Sequence, residues 1–182
     1  MKKYIIISII AVIGIFIFWF ISMQGEQNIK LTNGNEALSI GTKVGMIAPS
    51  FRITTINGNV VDSNDLTGKI IIITSSAAWC STCVMEAQQF SLVYQKYKDE
   101  SLAFITVDID PRDRKEFIEQ FKKDNNTPWD YADAQGGVDI SRKYKLDRFE
   151  ITYIIDKDGI IRFRDNIITN SDKLDTEIQK LL

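Results

Sequence analysis

Lys69-Ile70-Ile71-Ile72-Ile73-Thr74-Ser75-Ser76-Ala77-Ala78-Trp79-Cys80-Ser81-Thr82-Cys83 decides how this chain folds. An unbroken run of four isoleucines marks a strand buried on both faces. Two thiols, two residues apart, follow almost at once. Beyond them Val84, Ala87, Phe90, Tyr94 and Tyr97 recur at three- and four-residue spacing, with Glu86, Gln89 and Lys96 on other faces. That is the pattern of an amphipathic helix. Cys80 is therefore expected near a helix N-terminus, where unpaired N–H groups and the helix dipole stabilise a thiolate. Cys80 and Cys83 are the only cysteines, and the chain has no histidine. A Cys–His dyad, a Ser–His–Asp triad and a His-ligated metal site are thereby excluded. What remains is redox work on sulfur. Cys80 is expected to attack, Cys83 to resolve, and the two to close as a redox-active disulfide, with Trp79 covering the pair on one side.

Working outward, Leu102–Ile109 reads as a second buried strand ended by Asp110-Pro111. Arg112–Lys123 reads as a helix with Phe117, Ile118 and Phe121 facing inward, and Val138–Tyr144 as a short helix. Ile151–Ile155 and Ile160–Arg164 flank Asp156-Lys157-Asp158-Gly159 and predict a hairpin. Ser171 is placed to cap a closing helix with Leu174, Ile178 and Leu181 on one side. Ahead of the isoleucine run, Phe51–Ile56 and Val60–Asp62 flank Asn57-Gly58, a strong hairpin signal. The order hairpin, strand, helix, strand, helix, hairpin, helix predicts a mixed α/β sandwich.

The chain has 182 residues, enough for one domain and a small addition. The addition is at the front. Met1-Lys2-Lys3 is followed by an uncharged run from Tyr4 to Ile21 with Phe16, Phe18, Trp19 and Phe20 at its far end. As a helix this run spans about 27 Å, close to the hydrocarbon thickness of a bilayer. A cleaved signal peptide is the rival, but Phe20-Ile21-Ser22-Met23-Gln24-Gly25 offers no small–x–small site. The expected organisation is a single-pass anchor over 1–23, a polar linker over 24–44 and a globular domain over 45–182. Leu38 and Ile40 are expected to dock on the domain. The two lysines put the N-terminus inside and the domain outside the cytoplasm, where disulfides persist. The net charge of −2, with acids and bases interspersed, gives no basic stripe for nucleic acid.

The chain resembles the membrane-anchored thioredoxin-like proteins of the TlpA/ResA type, within the redoxin (AhpC/TSA) superfamily, over about residues 44 to 165. The likeness rests on Val44-Gly45-Met46-Ile47-Ala48-Pro49-Ser50-Phe51, Leu66-Thr67-Gly68-Lys69 and Ala78-Trp79-Cys80-Ser81-Thr82-Cys83. Thr127-Pro128-Trp129, Tyr144-Lys145-Leu146 and Ile154-Ile155-Asp156-Lys157-Asp158-Gly159 complete it. It implies a thioredoxin fold, a three-layer sandwich with an N-terminal hairpin, exchanging electrons with disulfides of extracytoplasmic proteins. Reduction of the partner is the direction it favours. It also implies that Glu86, one helical turn beyond Cys83, assists proton transfer, and that Trp79, Ser81, Thr82, Ile151 and Thr152 form the active-site rim. Three departures stand out. Ile151-Thr152 occupies the step where the family has a cis-proline and a threonine. A cis bond before a non-proline residue costs about 3–4 kcal/mol, so this loop is expected to be trans and differently shaped. Thr74 replaces the buried acid of thioredoxin proper, and Gln88 stands where a helix-kinking proline is common.

A lone C-x-x-C is half a zinc site, but two further ligands are missing. As a structural staple its four-residue ring is poor, because stabilisation grows with loop length. A thiol peroxidase needs P-x-x-x-T/S-x-x-C, and the chain has Ile73 and Ala77 at those positions. A Sco-like Cu(I) chaperone shares the fold and two thiolates, but its third ligand is a histidine. The reading is an anchored, monomeric thiol–disulfide oxidoreductase that needs no cofactor and no metal. Trp129 and Tyr131 are read as packing residues, and Asp108 and Asp110 as strand-end caps.

Overall fold

A computed structural model of the chain describes residues 39–98 and 100–182. The expected anchor, and the linker up to residue 38, lie outside the described residues. Among the described residues no helix is long and apolar enough to cross a membrane.

Strand β3 (Ile70–Ser76) is the centre of the fold, and every one of its residues is buried. Side chains alternate sides along a strand. Ile70 and Ile72 therefore enter one apolar cluster and Ile71 and Ile73 the other. Each buried isoleucine contributes about 2 kcal/mol. β3 pairs in parallel with β4 (Leu102–Asp108) and antiparallel with β6 (Thr152–Ile155). β4 pairs with β5 (Asp130–Ala132), and β6 with β7 (Ile161–Asp165), giving the order β5-β4-β3-β6-β7.

Helices α1 (Ser81–Tyr97), α2 (Lys115–Asp124) and α4 (Ser171–Gln179) supply Phe90, Ile118, Phe121, Leu174 and Ile178 to the first cluster. Helix α3 (Val138–Tyr144) and the hairpin β1 (Arg52–Thr54)–β2 (Val60–Asp62) face the second with Ile140, Tyr144, Phe51 and Ile53. The expected three-layer α/β sandwich is present.

Several expectations need correction. Strand β5 was not anticipated: three residues are too few to show an alternating pattern, and Trp129 and Tyr131 read only as packing. Both are indeed buried. Helix α2 starts at Lys115 rather than Arg112, because Asp110 binds the Arg112 backbone N–H and its guanidinium. Phe117 does not face inward; it is 48% exposed beneath the Arg114 guanidinium. The cap of α4 is Asn170, whose side chain accepts the Lys173 N–H at 2.9 Å, and Ser171 is the first helical residue. The hairpin expected around Asn57-Gly58 is present: β1 and β2 pair antiparallel, and Gly58 takes φ +83° in the turn. Ile40 stays 71% exposed instead of docking its side chain; Met46 and Ile47 make the backbone contact with Ile160 and Ile161. The hairpin is held against the residues before α3 at one tight point, where a Cβ on Gly136 would lie 2.1 Å from the Thr54 carbonyl oxygen.

Candidate active site

The polar end of β3 leads straight into the cysteines. Cys80 is the N-cap of α1, and its Sγ accepts the Cys83 backbone N–H at 3.1 Å. The Thr82 hydroxyl lies 3.3 Å from the same sulfur. A thiolate at Cys80 thus inherits two donors and the positive end of a 17-residue helix. Cys80 and Cys83 are joined as a disulfide, with Cα atoms 5.2 Å apart. Both are nearly covered, at 5% and 2% exposure, although an attacking sulfur is expected to be open to its partner.

The loop ahead of the pair is tied to the end of β4. Asp113 accepts the Ala78 N–H, and Asp110 accepts the Trp79 indole N–H, each at 2.7 Å. Trp79 stacks edge-on against Phe149 and remains 59% exposed. Asp110 is held far below the usual carboxylate range by the Arg112 guanidinium and backbone, then by Trp79. Asp108 moves the other way, to about 8, through burial and the neighbouring Asp113 charge. Asp108 also accepts the Asp110 N–H, so the two acids cap the strand end as expected.

Glu86 is 3% exposed. Its Oε2 accepts the Thr74 hydroxyl at 2.9 Å and its Oε1 the Thr169 N–H at 3.0 Å. Burial pushes its pKa from 4.5 up to about 7; the Thr169 and Thr74 hydrogen bonds oppose the rise, and the Glu150 charge adds to it. Glu86 and Cys83 line one cavity of about 10 Å³ with Thr74, Ser76, Thr106 and Tyr131. That volume is close to the minimum for a single water among polar partners. The missing buried acid of β3 is therefore replaced from the helix, with Thr74 as its hydrogen-bond donor.

The loop opposite the disulfide is pinned to one serine. Ser75 donates its hydroxyl to the Arg148 carbonyl at 2.7 Å and accepts the Ile151 N–H on that hydroxyl at 3.0 Å. Its backbone accepts the Glu150 N–H and donates to the Ile151 carbonyl. No peptide bond among the described residues is cis, and Glu150 takes φ +64°. Ser81 and Thr82 are exposed beside the pair. Ile151 and Thr152 are not on the rim as expected: at 1% and 0% exposure they pack beneath it, because Ser75 and Thr74 hold them inward.

Sequence reasoning missed Glu150. One of its carboxylate oxygens lies within 4.8 Å of both sulfurs. No spacing rule links it to residues 80 and 83; the signal available was its place next to the altered step at Ile151. While the disulfide is closed the sulfurs offer no thiolates to a cation, so this cluster holds no metal in the oxidised protein.

Residues 44–164 match the model of the AhpC/TSA family. The chain belongs to that family. Over 137 residues this AhpC/TSA protein is 28% identical to thiol-disulfide oxidoreductase ResA of Bacillus cereus, covering 75% of this chain and 78% of ResA. The thioredoxin domain of a thiol-disulfide oxidoreductase from Bacteroides vulgatus superposes with a TM-score of 0.65 at 23% identity, over 76% of this chain and 96% of that one. A secreted disulfide oxidoreductase from Mycobacterium tuberculosis gives 0.62 at 21%, over 72% and 96%. These two likenesses show the thioredoxin fold. The TlpA/ResA-type resemblance and a thiol–disulfide oxidoreductase activity are borne out.

Proposed function

We propose that this protein is anchored in the cell membrane by residues 1–23, with its redox domain outside the cytoplasm, and that it reduces disulfides of partner proteins there. The observation that carries the chemistry is Cys80 at the N-cap of α1, with the Cys83 N–H and the Thr82 hydroxyl directed at its sulfur. In the reduced protein the Cys80 thiolate attacks one sulfur of the partner's disulfide. That bond breaks, a mixed disulfide forms, and the released partner sulfur takes up a proton. Cys83 then gives up its proton, with Glu86 as acceptor across the shared cavity, and attacks the Cys80 sulfur. The mixed disulfide breaks, the Cys80–Cys83 bond re-forms, and the second partner sulfur is protonated. Two electrons pass from protein to partner. A carboxyl near 7 suits this exchange because it can hold or release the proton close to neutrality. The uncharged run from Tyr4 to Ile21 behind Lys2 and Lys3 supports the anchor and its orientation.

The test is trapping in cells. Cys83→Ser is expected to accumulate mixed disulfides between Cys80 and extracytoplasmic partners, recovered in the membrane fraction. Cys80→Ser is expected to trap none. Equal trapping by both variants would reverse or dissolve the assigned roles, and a soluble cytoplasmic adduct would overturn the placement.

A further inference from the structure

Glu150 has no part in the steps above, yet it is built into the site. Its Oε1 is buried without a hydrogen-bond partner among the described residues, and a carboxylate oxygen lies within 4.8 Å of both sulfurs. The residue sits at φ +64°, a region that side chains other than Gly, Asn and Asp rarely visit. Four hydrogen bonds between Ser75 and the backbone of Arg148, Glu150 and Ile151 hold it there. An acceptor facing a closed disulfide has nothing to accept, because a disulfide carries no hydrogen. Reduction creates two S–H groups beside it.

We propose that Glu150 is a specificity-determining residue: its carboxylate accepts the Cys80 thiol hydrogen in the reduced protein, and it favours partner disulfides that carry a positive charge next to their sulfurs. This deepens the reductase reading and takes Cys80 as the attacking sulfur from it. An anion this close disfavours a thiolate and so opposes the two donors at the helix N-terminus. A cationic partner pairs with Glu150 on approach and relieves that opposition, whereas an anionic one adds to it. The charged surroundings do not cancel the effect. Among the described residues, Glu86 on α1 and Asp108, Asp110 and Asp113 at the end of β4 are acids; the cations nearby are Arg112, paired with Asp110, and exposed Arg148 beside Asp147.

The experiment uses the reduced full-length chain in detergent. Alkylation of Cys80 by iodoacetamide is followed against pH by mass spectrometry, in wild type and Glu150→Gln. The variant's midpoint is expected about 1 pH unit lower, a shift that a merely structural role would not produce. In a second arm wild type reduces cystamine, which is cationic, about 10-fold faster than anionic 3,3′-dithiodipropionate at low salt. The ratio is expected to shrink in Glu150→Gln and, in wild type, at 1 M salt. An unchanged midpoint, or a wild-type ratio near one, overturns the proposal. If the variant fails to fold, the wild-type ratio and its salt dependence still decide. If wild type reduces neither disulfide, the reductase reading is what has failed, and the alkylation midpoint still judges Glu150.

Discussion

The two halves of strand β3 are equally buried and otherwise unlike. Ile70–Ile73 lie wholly against apolar side chains on both faces of the sheet. Thr74–Ser76 are as deeply covered, but their partners are Glu86, Thr152 and the 148–151 loop. The first half is held by area removed from water, which is non-directional. The second is held by hydrogen bonds, which fix positions and leave costs wherever one is unmet. Affinity for the fold and geometry for the chemistry thus come from neighbouring segments of a single strand.

If the division is real, the two halves fail differently. Ile72→Ala should cost the most, about 2–5 kcal/mol of unfolding free energy by urea titration. The pH dependence of cysteine alkylation should be unchanged in the folded variant. A moved alkylation midpoint would break the comparison, since the apolar half would then be setting the chemistry.

The next effect belongs to Glu86. Its carboxyl is raised from 4.5 to about 7 in the oxidised fold. The native state therefore keeps a proton that the unfolded chain releases across that window. The stabilisation is complete below pH 4.5 and is lost as pH rises through 7, about 3 kcal/mol in all. Glu86→Gln abolishes this dependence. The wild-type stability minus that of the variant should fall by about 3 kcal/mol between pH 4.5 and pH 8. A flat difference would mean that Glu86 is hydrated rather than buried.

The smallest effect sharpens the comparison within the polar half. Thr74→Val keeps the shape and removes the hydroxyl that supports the Glu86 anion. The Glu86 titration should move further up, followed by carboxyl NMR shifts. Stability at pH 8 should drop by about 1.5 kcal/mol, with little change at pH 4.5.

Much of this was legible in the chain because period and adjacency are sequence properties. The isoleucine run, the helix after it and the cysteine spacing all placed themselves, and Val138–Tyr144 matched helix α3 residue for residue. Glu86 was reachable because Cys83 fixes its turn of the helix. Glu150 was not, since it meets the sulfurs only after β6 folds back beside β3. The Thr169 N–H on Glu86 lies 83 residues away and follows no pattern of side chains at all. Ile151 and Thr152 were misplaced for a related reason. A family position was carried over, but Ser75 turns that backbone inward.

The missing imidazole has a final consequence. Among the described residues, the carboxyls drawn toward neutrality are Glu86, at about 7, and Asp108, at about 8. Buffering by this domain between pH 6 and 8 therefore draws on its interior, at the sulfur-bearing end. Changes in the acidity of the surroundings thus act directly on the sulfur-bearing end of the molecule.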